Sequence, residues 1–198
     1  MTILLLALLS PLACHHAGED APEPASLATT PNGPPLAELY SSADRLTLLA
    51  AAQQIIDADP VATLISVDAS GRPRVRTVDA GGPDDDWSFW VATRPGTRKV
   101  EQLEEHPDVT LHFETDDAGA YVSLMGRARI HRDDVDLFDQ KNPISAELMP
   151  TLFPDYPNDY LLIEIQPSWL ELLSTEIEAS SDTWRPQAVV FDPADSTP

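Results

Sequence analysis

Cysteine is almost absent from this sequence, with Cys14 the only one in 198 residues. A single thiol excludes an intrachain disulfide and a thiolate zinc site. Positive charge is scarce as well: 12 Lys and Arg stand against 33 Asp and Glu, for a formal charge of -21. A surface of that sign repels phosphate backbones and anionic headgroups, which argues against a nucleic-acid partner. Also missing is an apolar run long enough to span a bilayer, since the stretch Ile3 to Leu9 has only the length of a signal-peptide core. What is left fits one domain of common size, held by packing and association.

Ser10, Pro11, Leu12 and Ala13 follow the apolar run, and small Ala13 directly precedes Cys14. Residues 1–14 therefore resemble a bacterial lipoprotein signal, whose cysteine is acylated and becomes the mature first residue. That resemblance implies an exported cell-envelope protein, anchored through Cys14 and touching the membrane only by its lipid. No Lys or Arg precedes the run, and Pro11 stands where such signals carry leucine, so an ordinary signal peptide stays open beside it. Residues 15–35, rich in Pro, Ala, Thr and acidic groups, bury too little to fold and read as a disordered tether. A domain over 36–192 and a flexible tail over 193–198 complete the expected organisation.

Within the domain, Leu36 to Ala58 shows helical spacing, with Ser42 as the capping residue. Pro60 stops it. The β-branched run Val61 to Val67, the turn Asp68-Ala69-Ser70-Gly71 and the alternating stretch Pro73 to Val78 predict a hairpin. Trp87 to Ala92 reads as a further strand, and Thr97 as the N-cap of a short helix through Glu105. Strand pattern resumes over Val109 to Glu114 and Ala120 to His131. Two short helices follow, at Arg132 to Gln140 and Ile144 to Phe153. The long strand Tyr160 to Leu173 contains Pro167, which predicts a bulge or bend, and Ala188 to Phe191 is the last strand. This order predicts a mainly antiparallel β fold with peripheral helices.

Six of the 12 basic residues fall between Arg72 and Lys99. Arg74 and Arg76 share one face of a strand, while Thr97, Arg98 and Lys99 sit at a helix start, where free N–H groups and the dipole favour phosphate. An anion site accounts for the clustering. Surface ion pairs with the many carboxylates are the default explanation when the cluster is taken alone.

The stretch from Gly71 to Val78, then Val91-Ala92-Thr93, Gly96-Thr97-Arg98-Lys99 and Gln102-Leu103-Glu104-Glu105-His106-Pro107, resembles the pyridoxamine 5′-phosphate oxidase-like superfamily in identity and spacing. The likeness covers Val61 to Arg132 and is nearest to the general stress protein branch. It implies a six-stranded FMN-binding split β-barrel and a homodimer with flavin at the interface. Carried over, Arg76, Thr77 and Val78 line the ring and ribityl chain, Ala92 and Thr93 contact the flavin, and Thr97, Arg98 and Lys99 grip its phosphate. Tyr121 stands where the oxidase has a flavin-contacting glutamine. Trp184 corresponds either to a late tryptophan that reaches the partner's flavin or to a core or interface aromatic. Deazaflavin and haem are the alternative cofactors.

The departures point away from the oxidase's own reaction. Gly81 replaces its substrate-binding lysine, and Trp184-Arg185-Pro186-Gln187-Ala188 lacks the arginine and histidine that hold pyridoxal phosphate. The resemblance thus implies an FMN-dependent oxidoreductase whose substrate and electron donor the sequence does not name. His112 and His131 are candidate proton donors, no metal site is expected, and catalytic side chains stay unassigned. The alternatives are a non-catalytic module binding FMN or haem, and a tethered β-domain presenting an acidic surface to a partner.

Overall fold

The computed structural model of the protein describes residues 41–115 and 119–191. The expected leader, the tether, the first residues of the expected helix and the C-terminal tail lie outside the described residues.

Helix α1, Arg45–Ala58, starts later than the apolar spacing from Leu36 predicts, and its cap is Asp44 rather than Ser42. The Asp44 carboxylate accepts from the Thr47 N–H at 3.1 Å and from the Thr47 hydroxyl at 2.7 Å. An acidic cap satisfies an orphan donor and complements the positive end of the dipole, which fixes the start. Leu48, Ala51, Ala52, Ile55 and Ile56 form its buried stripe, at the spacing of an amphipathic helix. Ahead of the cap, Gln187 Oε1 accepts from the N–H groups of Ser42 and Ala43, and its Nε2 donates to Ser42 Oγ and to the Glu178 carbonyl.

Strands β1 (Val61–Val67), β2 (Pro73–Asp79), β3 (Phe89–Thr93), β4 (Asp108–Glu114), β5 (Tyr121–His131), β6 (Leu161–Leu173) and β7 (Gln187–Val190) form one antiparallel sheet. Its order is β2-β1-β4-β5-β6-β3, with β7 also on β6. The antiparallel class and the split-barrel type agree with expectation, while the sheet has seven strands rather than six and does not close. Pro167 explains the extra strand. The β5–β6 register shifts between Met125 and Gly126, opposite Pro167, so β6 bends and offers its other edge twice: Leu161 to Ile165 pair with β3, and Trp169 to Leu172 pair with β7. At the ends of the order, β2 and β3 lie close without pairing, and this gap is the split.

Leu64, Leu111, Leu124, Ile163, Ile165, Leu170 and Leu172 fill the interior and are fully buried. A second cluster of Trp90, Phe138, Phe153, Tyr160 and Leu162 packs outside it, under α3 (Val135–Lys141) and α4 (Met149–Leu152). The second of these helices is shorter than the sequence predicts. The Asn142 side chain accepts from the Ile144 N–H at 3.0 Å and donates to the Ile144 carbonyl at 3.2 Å, a local turn that competes with helix at 144–148. Among the described residues no helix is long and apolar enough to cross a membrane.

Gly126 is where two backbones meet at the bulge: a Cβ there would stand 2.1 Å from the Gln166 carbonyl oxygen and 2.8 Å from Pro167 Cα. We expect Gly126→Ala to lower the unfolding free energy by about 1–3 kcal/mol, the usual cost of forcing atoms into a packed site. Urea titration followed by tryptophan fluorescence checks this, and an unchanged midpoint would contradict it.

Candidate functional site

Strand β2 is an edge strand, and its period of two sends successive side chains to opposite faces. Arg74 and Arg76 share one face, as the sequence predicts, yet they have different fates. Arg74 is paired with Asp68 at 2.6 Å in the hairpin turn, so for this residue the surface ion pair is the correct reading. The Ser70 hydroxyl, the Arg72 N–H and the Arg74 guanidinium together hold the Asp68 carboxyl well below its usual value. Arg76 instead points at β1 and at helix α2 (Arg98–Glu105), donating from Nη1 to Ser66 Oγ at 2.9 Å and from Nη2 to Gln102 Oε1 at 2.7 Å.

Helix α2 begins directly after the turn that leaves β3. Gly96 adopts a φ of 71° there, a left-handed conformation that lets the chain reverse within four residues. Thr97 takes the N-cap position without capping through its side chain, because its hydroxyl faces that of Thr93 at 3.2 Å. Lys99 folds back to donate to the same Thr93 hydroxyl at 2.9 Å. Val100 makes the first intrahelical bond, to the Thr97 carbonyl, so the amides of Arg98 and Lys99 precede the helix ladder.

Arg76, Arg98 and Lys99 thereby converge where β2, β3 and the start of α2 meet. Among the described residues none of the three has a carboxylate within 4.0 Å, whereas Arg74, Arg127, Arg132 and Lys141 each do. Burial, and then the neighbouring Arg76 charge, hold the Lys99 ammonium below its usual pKa. Burial, followed by Arg98, acts on Arg76 in the same direction. Like charges have been brought together in a strongly acidic chain without a direct ion pair among the described residues. A cleft of about 260 Å³ lies beside Arg98, lined also by Gln102 and Arg74 and by the carboxylates Asp68, Glu101 and Glu105. Two guanidiniums, an ammonium and two threonine hydroxyls suit the phosphate of an FMN in charge and donor type.

Other sequence-predicted residues lie elsewhere. Thr77 faces the opposite side of β2, in a polar cleft of about 330 Å³ shared with Asp59, Thr63, His112 and Glu114. Val78 is buried in the interior and offers only backbone. Ala92 packs against the second apolar cluster. Tyr121 belongs to the Thr77 side, its ring 5.6 Å from that of His112; burial, then the Glu171 charge, raise the pKa of its phenol. His112 Nδ1 meets Ser123 Oγ at 2.8 Å, and His131 Nε2 meets Glu164 Oε2 at 2.8 Å, so both histidines are engaged in local pairs. Trp184 is not a core aromatic: it is 84% exposed and held at a φ of 57°. Among the described residues no three His, Cys, Asp or Glu side chains gather to hold a metal. Arg94, counted in the basic cluster, turns away to donate to the Leu152 carbonyl.

Sequence reasoning overlooked Ser66 and the role of Gln102. A signal existed for the first. Ala62, Leu64 and Ser66 are the inward positions of β1, so a lone hydroxyl there must find a buried partner. Gln102 follows Arg98 by four residues, one helical turn, which puts both on the face toward the cleft.

Residues 48–174 match the family model described as pyridoxamine 5′-phosphate oxidase. No curated protein matches the sequence. Among solved structures, a Clostridium acetobutylicum protein related to general stress protein 26 of Bacillus subtilis superimposes with a TM-score of 0.59 at 16% identity, over 76% of this chain and 98% of that one. A pyridoxamine 5′-phosphate oxidase-related, FMN-binding protein from Nostoc punctiforme gives 0.54 at 14% identity, over 77% and 99%. A heme-binding protein from Mycobacterium smegmatis gives 0.52 at 16% identity, over 70% and 56%. At such identities the likeness bears on the fold.

A lysine whose pKa is depressed by folding binds fewer protons folded than unfolded between its native pKa and about 10.4, so stability rises with pH across that window. We expect the free energy of unfolding of ligand-free protein, relative to Lys99→Met, to increase as pH approaches that upper limit. Urea titrations of both proteins at a series of alkaline pH values check this; parallel profiles would show that Lys99 is unperturbed.

Proposed function

This chain belongs to the pyridoxamine 5′-phosphate oxidase family, and on that premise we propose that it is an FMN-dependent oxidoreductase with a substrate other than pyridoxamine phosphate. The observation that carries the reading is the trio Arg76, Arg98 and Lys99, close together and with no carboxylate within 4.0 Å of them among the described residues. Electrostatic energy of that kind is released when a dianion arrives, and the helix start adds amide donors at the same place.

Bound FMN supplies a ring that accepts a hydride or electrons, and the protein's part is to hold and orient it. Arg98, Lys99 and the hydroxyls of Thr93 and Thr97 grip the phosphate. Arg76 stands between that seat and the ribityl chain, and the free edge of β2 at Thr77 and Val78 offers backbone groups to the ring. Ala92 lies on the neighbouring strand. Tyr121, with His112 beside it, belongs to the opposite side of β2. One subunit therefore splits these residues between two faces, which favours a homodimer whose partner completes the pocket. The substitution of Gly81 for the family's substrate lysine, and the missing C-terminal cations, leave a second phosphate without a seat. Acylation at Cys14 and a cell-envelope location accompany the proposal.

Purified protein is expected to be yellow, and denaturation to release FMN; release of haem would replace the flavin reading with a haem-binding one. Reduced nicotinamide with an electron acceptor should give sustained turnover, whereas bound FMN without turnover would make the chain a binding module. Saturating FMN at a hundred times its Kd adds about 2.7 kcal/mol of stability, seen as a rise in Tm. In the double variant Arg98→Ala, Lys99→Ala, loss of two charged contacts of about 1.5 kcal/mol each weakens FMN binding on the order of a hundredfold. The fold should survive, as read by circular dichroism. Unchanged FMN affinity in that variant would reject the phosphate seat.

A further inference from the structure

We propose that Ser66 and Gln102 are positioning residues that fix the Arg76 guanidinium while leaving its charge unspent, and so set the preference for a phosphorylated flavin over its unphosphorylated form. The inference rests on reading the cationic cluster as a phosphate seat.

The three side chains close a ring of hydrogen bonds. Gln102 Oε1 accepts from Ser66 Oγ at 2.8 Å and from Arg76 Nη2 at 2.7 Å, while Ser66 Oγ accepts from Arg76 Nη1 at 2.9 Å. Each donor and acceptor role is dictated. Ser66 spends its one proton on Gln102 and so receives the guanidinium through a lone pair; a reversed Gln102 amide would set its NH2 against a cation. Ser66 is fully buried, in the wall between β1 and α2, which gives the ring a rigid base. Arg76 uses two of its five N–H donors in this way, leaving three for a ligand.

Both acceptors are neutral, and that is the informative point. Three other basic side chains are oriented by carboxylates, Arg74 by Asp68, Arg132 by Glu104 and Lys141 by Asp84, while Arg45 and Arg94 donate to backbone carbonyls outside the cationic cluster. A carboxylate at position 66 or 102 would hold Arg76 just as firmly and would relieve its repulsion with Arg98 and Lys99. It would also compete with any phosphate. An amide and a hydroxyl fix direction by dipole alone, so the positive charge stays available to the ligand. Gln102 also lies one turn beyond Arg98 on α2, so one short helix carries the phosphate cations in its first turn and the clamp in its second.

The test compares Kd values for FMN and riboflavin, by quenching of flavin fluorescence, in wild type, Gln102→Glu and Ser66→Ala. Thermal unfolding of the ligand-free proteins accompanies it. Wild type should prefer FMN. Gln102→Glu should raise the Tm of ligand-free protein and cut the preference for FMN at least tenfold, with riboflavin affinity unchanged. Ser66→Ala should reduce the preference by a smaller factor. If Gln102→Glu does not fold, Gln102→Met carries the test, since it removes the acceptor and should weaken FMN alone. Equal losses for both flavins, or a lowered Tm with the preference intact, would mean that the ring is only structural glue and overturn the proposal. Absence of any FMN preference in wild type would instead defeat the phosphate seat itself.

Discussion

Repulsion among Arg76, Arg98 and Lys99 is the constraint on which the rest of this structure turns. Three cations assembled with no ion-pair partner among the described residues oppose folding, so the surrounding scaffold must hold them by other means. It does so through neutral oxygen acceptors: the Thr93 hydroxyl for Lys99, and the Ser66 hydroxyl and Gln102 amide for Arg76. The acidic surface elsewhere sharpens the contrast. In a chain of formal charge -21, a local positive potential attracts an anion that the remaining surface repels.

The fold delivers those groups to one place through a single irregularity. Because β6 bends opposite Gly126, its first half can carry β3, and β3 brings Thr93 and the start of α2 up to the free edge of β2. A straight β6 would leave β3 and β2 at distant ends of a flat sheet. The split between them is thus the geometric origin of the cationic site, with the helix entrance filling the gap that hydrogen bonds leave open.

Much of this was legible in the residues. The hairpin at Asp68 to Gly71, the bulge at Pro167 and the helix after Thr97 each follow from a local rule of turn chemistry, proline geometry or capping. The late start of α1 was less legible, because a carboxylate at Asp44 outcompetes apolar spacing that continues upstream. Motif spacing identified Arg76, Thr93, Thr97, Arg98 and Lys99, which the fold does gather. It could not separate Arg74, neutralised by a turn carboxylate, from Arg76, which is left charged; that difference depends on contacts across the hairpin and the helix. Strand alternation put Thr77 on the opposite face from Arg76, but it could not show that Tyr121 joins the Thr77 side until the sheet order was known.

The Gln187 side chain joins the approach to α1 with the final strand through three hydrogen bonds, and Arg45 adds another by donating to the Val190 carbonyl at 2.5 Å. The segment that leads into the domain and the segment that leaves it are therefore neighbours in space. Tension that enters the domain at Ser42 would be borne first by this clasp and by β7 before reaching the interior strands. A short peptide bridging the two segments would likewise close the backbone into a loop without disturbing the cation-bearing end of the barrel.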